Sequence, residues 1–402
     1  MIRRLATVAL VVASVAACSS SPEVSRSSPT PTNTTAPASA EPPALTPVLA
    51  RAIADPIPVP ATDGNTHLVY ELVLSNATYA DVSLTSLEVK DVNRTLLQLA
   101  GGALAAQMHV LGKPSTTLGP GQNAYVWLDV VLAGGDAVPA HLSHAVGVTL
   151  SQPQPPLLPA TLTEHVGTVA VQQRAPVVIS PPLRGVNWLD ANGCCGLSAH
   201  RTALNPIDGQ LWVAERFAID YLELLPDRRL FSGDGGDVRN YAYFGADVHA
   251  VADGPVVAVL DGLPEQKPPA APDNLPLDQY PGNHVVQDLG NGNYALYAHL
   301  QTGSVTVKPG DRLAMGHVLG HVGNSGNTDA PHLHFHVMST PDPLRSDGLP
   351  FVFSSFQLTA TLPDSADALM SGRAAPMTPQ TAPRTVKNVM PLQNDLMTYA
   401  AQ

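Results

Sequence analysis

The run Pro331-His332-Leu333-His334-Phe335-His336-Val337 constrains this chain more than any other. Polar and apolar residues alternate through it with the period of a β-strand that turns one face to a core. Read as a strand, it sets three imidazoles on one face and Leu333, Phe335 and Val337 on the other. A polar row of imidazoles on an apolar backing is an unlikely pattern without a use, and metal chemistry is the use that suits it. Same-face neighbours stand ~7 Å apart along a strand. One histidine can therefore hold an ion while its neighbour meets substrate or water.

The rest of the chain reads the same way. His67 to Leu74 is a mostly apolar, β-prone stretch, Val82 to Val89 alternates, and Tyr125 to Leu132 follows the turn Gly119-Pro120-Gly121. Short strands broken by Gly, Pro and Asn clusters predict an antiparallel, Ig-like β-sandwich over residues 46–180, serving as a spacer or binding domain. Its histidines are scattered and show no ligand spacing. Residues 176–183 read as a linker, and from Gly185 a second strand-rich domain runs to about residue 362. Residues 363–402 are left as a C-terminal tail whose fold is open.

The 402 residues hold 39 prolines and carry a formal charge of −12, which removes the basic stripe that nucleic-acid binding needs. Arg3 and Arg4 precede an apolar stretch, Leu5 to Ala17, shorter than the ~20 residues of a spanning helix. It closes on Val15-Ala16-Ala17-Cys18, which resembles the lipobox of bacterial lipoproteins. That resemblance implies cleavage before Cys18, lipidation of its thiol and an exported, membrane-anchored protein in the cell envelope. A plain secretory leader with Ala-x-Ala cleavage is the alternative. The Ser/Pro/Thr-rich stretch 19–45 cannot bury a core and reads as a disordered tether. The remaining cysteines, Cys194 and Cys195, are adjacent and read as local bracing.

A catalytic zinc site takes three protein ligands and leaves a fourth position open. Beyond the histidine run, candidates are His200 and the segment Glu215 to Tyr221. Asp220 lies there in an apolar run, costly for a carboxylate unless a metal, or a salt bridge to Arg216, pairs with it.

Residues 196–350 resemble the lysostaphin/LytM-like zinc metallopeptidases. The resemblance is carried by Ala218-Ile219-Asp220, Phe244 to Val257, Gly282 to Val286, Leu296-Tyr297-Ala298-His299-Leu300, Val305 to Asp311, Gly316 to Gly320, Gly323 to Asn327 and His332-Leu333-His334-Phe335. It implies a two-sheet antiparallel fold, the duplicated hybrid motif, with one Zn2+ per chain. It further implies that Asp220 and His334 are metal ligands, and that His299 and His332 are catalytic residues that position water and stabilise the oxyanion. The implied activity is a zinc metalloendopeptidase hydrolysing peptidoglycan stem or cross-bridge peptides. The chain departs from the family pattern at Arg216, which stands where the first histidine ligand belongs. His200, leading the segment that ends at Asp220, is the expected substitute. Should His200 not serve, a non-catalytic regulator of wall amidases is the competing reading. An adhesion or scaffold lipoprotein working through the sandwich is another.

The other histidines draw plainer expectations. His249 and His284 read as structural groups and His317 and His321 as turn residues, while His336 is left between a supporting role and simple exposure. Ser232 to Asp237 reads as a loop at the cleft rim. Gly282, Gly323 and Gly326 at the groove edges suit small, Gly- or Ala-rich peptides.

Overall fold

The computed structural model describes residues 43–363, 366–376 and 382–400. The leader, Cys18 and all but the last residues of the 19–45 tether lie outside the described residues. Leu45–Gln402 form one compact unit. Among the described residues no helix is long and apolar enough to cross a membrane.

On the strand Thr66–Asn76, Leu68, Tyr70, Leu72 and Leu74 point into one apolar core together with Val82, Leu84, Leu87 and Val89 of Val82–Asp91. That core lies between two antiparallel sheets. One runs in the order Val48–Ala52, Thr66–Asn76, Asn123–Leu132, Met108–Val110, Lys113–Pro114, with Val59–Pro60 also pairing Thr66–Asn76. The other runs Thr161–Ala170, His141–Leu150, Val82–Asp91, Arg94–Ala100. Two sheets over a shared core make a sandwich.

The strand Thr66–Asn76 is buried on both faces, which explains why Leu68-Val69-Tyr70 and Leu72-Val73-Leu74 run on as apolar stretches instead of alternating. Val69, on the face away from the sandwich core, belongs to a second core, with Phe217, Ile219, Tyr297 and Phe335. This second core backs the large sheet, ordered Arg312–Leu313, Gly254–Leu260, Asn283–Gly290, Asn293–Leu300, Leu333–Met338, Ile219–Glu223, Gly185–Ala191, Asp395–Tyr399, Phe356–Thr361, Arg384–Val386. The protein is therefore mostly β and mostly antiparallel, as its alternation predicts.

Two segments do more than their sequence suggested. Val177–Ile179, inside the expected linker, pairs in parallel with Phe351–Phe353. Ile179 and Leu183 are buried, so this stretch is part of the packed fold. The C-terminal strand Asp395–Tyr399 inserts between Gly185–Ala191 and Phe356–Thr361. Its Leu396, Met397 and Tyr399 are buried and close that flank of the sheet. Cys194 and Cys195 are joined by a disulfide in the same core.

One acid in the sandwich is poorly accommodated. Glu164 is 3% exposed, with Oε2 accepting from the Val48 amide at 3.0 Å and Oε1 lacking any partner. Burial pushes its carboxyl from 4.5 up to about 7. A folded-state value above the unfolded one means stability that is full below about pH 4.5 and lost as pH rises through 7. The Glu164→Gln variant has no such titration. Thermal melts should show it gaining on the parent as pH rises from 5 to 8, ending a few degrees more stable. Parallel melting profiles across that range would contradict this account of Glu164.

Candidate active site

Register assembles the site. Asp220 on Ile219–Glu223 lies directly opposite His334 on Leu333–Met338, and His334 lies opposite Ala298 on Asn293–Leu300. Asp220 and His334 therefore share one row on one face of the sheet, with His334 Nδ1 3.0 Å from Asp220 Oδ1. A slip of one residue in either strand would send one of the two to the opposite face.

His299 comes from the end of the strand Asn293–Leu300, and His200 and His332 from outside the strands. His200 sits on a single helical turn, Ala199–Thr202, whose N-cap Ser198 accepts from the Arg201 amide. His200 Nε2 stands 3.2 Å from Asp220 Oδ2, and His332 Nε2 3.3 Å from Asp220 Oδ1. Potential ligand atoms of His200, Asp220 and His334 lie within 4.8 Å of one another, as do those of His299, His332 and His334. All five residues named from the sequence thus meet in one place, although 134 positions separate the first from the last. They line a cleft of about 450 Å³ that also meets Glu215, Tyr280 and Asn327. A second cavity, of about 660 Å³, shares Leu277, Pro281, Pro343 and Leu344 with it.

Hydrogen bonds from the far sides of the rings decide which nitrogens are free. His200 Nδ1 donates to the Ala218 carbonyl at 3.1 Å, His299 Nδ1 to Ser325 at 2.7 Å and His332 Nδ1 to Ala330 at 2.8 Å. Each neutral ring then carries its lone pair on Nε2. His334 is turned the other way, with Nδ1 on Asp220 and Nε2 2.9 Å from His336 Nδ1. When Nδ1 ligates a cation instead, Nε2–H donates to His336, which is buried and whose own Nε2 has no partner among the described residues. His336 is thus a supporting residue beneath His334, not an exposed one.

Electrostatics set the same nitrogens around one carboxylate. Burial alone would push the Asp220 carboxyl up, but His200 and His332 outweigh it and hold the group well below its ordinary range. Burial opposes a proton on His200 as well, yet the Asp220 charge lifts it to about 9. His299 is driven well below its usual value by burial and by His332 and His334. No Arg or Lys among the described residues pairs with Asp220, whose ion-pair partners are the three imidazoles. An ionised, nearly buried carboxylate ringed by imidazole nitrogens is a site that a cation can enter in place of the protons on those rings. Two nitrogens and one carboxylate oxygen are a donor set that suits zinc and leaves a fourth position open. The residues fit the metal.

The loops packed against His299 are tightly built. Its own φ is +60°, a left-handed conformation uncommon outside glycine and typical of strained functional positions. Beneath it, Gly282 and Gly326 both have positive φ, and a Cβ on Gly326 would come within 2.3 Å of the Gly282 nitrogen. These glycines let the two loops touch and bring the Ser325 carbonyl to His299.

Several sequence expectations change here. Arg216 does not pair with Asp220; both it and Arg201 bond Glu71 of the sandwich. Asn192, which nothing in the sequence singled out, donates to Asp220 Oδ2 at 2.9 Å. Its signal is absent because it is a loop Asn 28 positions from its partner. His249 and His284 bond backbone carbonyls, as structural groups do, and His321 pairs with Asp247 away from the site. His67, Asp129 and Cys195 also cluster. There the sulfur is held in the disulfide and His67 is bonded to Asp129 and Asp63.

The His336 contact makes a direct prediction. Groups that orient a metal-ligating histidine typically govern metal affinity by ~10–100-fold. His336→Phe fills similar space but cannot accept from His334 Nε2–H, so its zinc affinity should fall ~10-fold or more. Chelator competition measures this, and an unchanged dissociation constant would remove His336 from the site.

The chain is similar to known proteins over part of its length. The family model described as Peptidase family M23 matches residues 235–346, which include His299, His332 and His334 but neither His200 nor Asp220. Two proteins of Vibrio cholerae serotype O1 are similar over short stretches. "Peptidoglycan DD-endopeptidase ShyA" is 34% identical over 67 residues, 17% of this chain and 15% of the relative. "Peptidoglycan DD-endopeptidase ShyC" is 31% identical over 97 residues, 24% of this chain and 20% of the relative. The chain therefore spans a fifth or less of these relatives' length. Among solved structures, the catalytic domain of lysostaphin from Staphylococcus simulans matches at 20% identity over 38% of this chain and 80% of that one, with a TM-score of 0.21. A zinc containing peptidase from Vibrio cholerae matches at 15% identity over 71% of this chain and 82% of that one, with a TM-score of 0.22. With His299, His332 and His334 inside it, the segment 235–346 matches peptidase family M23, the family that includes the lysostaphin/LytM-like peptidases its sequence resembles.

Proposed function

We propose that the protein is a zinc metalloendopeptidase that hydrolyses peptide bonds in the stem or cross-bridge peptides of peptidoglycan. The observation that carries this reading is the convergence of His200, Asp220 and His334 in the wall of a cleft, with His299 and His332 beside them. The names of the two Vibrio relatives support the substrate class.

In this reading His200 Nε2, Asp220 and His334 Nδ1 hold one zinc ion. Zinc, when bound, supplies Lewis acidity toward a carbonyl oxygen and toward water. His299 and His332 act around it through their Nε2 atoms. Each is held by its Nδ1–H in the tautomer whose Nε2 accepts a proton from water, and a protonated Nε2 then donates to a developing oxyanion or an amine leaving group. The low proton affinity of His299 keeps it neutral near pH 7, as an acceptor must be. Asn192 and the Ala218 carbonyl orient Asp220 and His200. Burial of the rings excludes bulk water and strengthens each of these bonds.

The proposal extends to location. Cleavage before Cys18 and lipidation of its thiol would place the chain on a membrane, with the 19–45 stretch as tether. The Cys18→Ser variant should then leave the membrane fraction for the soluble fraction of fractionated cells, and retention in membranes would count against the anchor.

Catalysis is tested by the two non-ligand histidines. His299→Ala and His332→Ala should keep one zinc per chain yet lose ~100-fold or more in release of peptides from purified peptidoglycan. His334→Ala should lose both metal and activity. A parent chain that binds no zinc and releases no fragments by mass spectrometry would reject the enzymatic reading in favour of a binding role.

A further inference from the structure

We propose that the sandwich is a working part of the metal centre, because Glu71, on its strand Thr66–Asn76, positions the metal ligand His200. The inference rests on the zinc reading above only for its consequence on metal affinity; the positioning itself is a property of the fold.

Glu71 points away from the sandwich core, on the same face as Val69, and is wholly buried. Its carboxylate accepts from both guanidinium groups. Arg216 Nε lies 3.2 Å from Oε1 and 2.9 Å from Oε2, Arg216 Nη2 bonds Oε2 as well, and Arg201 Nη1 bonds Oε1. Arg201 also donates from Nη2 to the Leu128 carbonyl at 3.3 Å. All three charged side chains are at most 5% exposed. Burial would raise the acid, yet the two guanidiniums hold Glu71 ionised.

The placement of the two arginines gives this triad its meaning. Arg201 directly follows His200 on a four-residue helix, Ala199–Thr202, that is too short to hold its own position. Arg216 precedes by two residues Ala218, whose carbonyl fixes the His200 ring, and by four residues the ligand Asp220. One carboxylate of the sandwich therefore ties down both segments that meet at the His200 side of the site. Without it, the short helix keeps its Ser198 cap but loses its anchor. Two buried cations would also be left uncompensated. Glu71 touches no ligand atom, so it is a positioning residue.

The test compares Glu71→Gln, Arg201→Lys and a control, Val148→Ala, in the full chain. Val148 lies in the sandwich core, so its truncation weakens the sandwich without touching the triad. Hydrogen exchange of the 199–202 amides in the zinc-free chain reads positioning, and chelator competition reads the zinc dissociation constant, both well below the melting temperature. The triad variants should exchange at least ~10-fold faster at 199–202 and bind zinc ~10-fold or more weakly. Val148→Ala should lower the melting temperature while leaving both readouts within about twofold. Should Glu71→Gln fail to fold, Arg201→Lys decides, since it keeps a cation beside Glu71 but loses the planar fork. Exchange and affinity in Arg201→Lys no different from the control would overturn the proposal. If the parent binds no zinc, the zinc reading falls and the exchange rates alone decide the positioning.

Discussion

The structure depends on one cross-strand pair. Asp220 and His334 face each other because two antiparallel strands are held in a single register, and that register is fixed from behind. Ile219 and Tyr221 on one strand, Leu333 and Phe335 on the other, are completely buried in the core. Sliding either strand by one residue would expose these side chains and bury the polar ones, a change costing several kcal/mol in apolar burial alone. Hydrophobic packing on one face thus enforces the pairing of Asp220 with His334 on the other.

What gathers on that face would be unstable by itself. An ionised carboxylate and four inward-turned imidazoles occupy a site from which water is largely removed, with no lysine or arginine paired to Asp220 among the described residues. The protein accepts this unfavourable arrangement by building bonds around its outside. Backbone carbonyls of Ala218, Ser325 and Ala330 hold three rings, and His336 holds the fourth. Positive charge is supplied one layer further out, where Arg201 and Arg216 are neutralised by Glu71 and so do not compete for Asp220.

The histidine face was legible in the sequence because a strand's two-residue period projects directly onto its faces. Leu333 and Phe335 are buried in the core and His332 and His334 meet at the site, as that period requires. His200 and Asp220 were legible as candidates, since a lone acid in an apolar run needs a partner. The partner of Arg216 was not. Glu71 lies 145 positions away in a strand whose neighbours are apolar, and no local pattern marks a charge that pairs across so long a separation. The sandwich read as a separate module for the same reason: local alternation reveals which face is apolar but not that Val69 shares a core with Phe335. Asn192 and the strand Asp395–Tyr399 were hidden likewise, each defined by contacts distant in sequence.

The most direct measurement is X-ray absorption at the zinc edge of the metal-loaded protein, for the parent and for His200→Ala. Two imidazole nitrogens and one carboxylate oxygen at about 2.0–2.2 Å, with a light-atom fourth neighbour, is the first shell expected of the parent. The variant should show one imidazole fewer. A first shell unchanged by loss of His200, or one containing sulfur, would contradict the centre described for this fold.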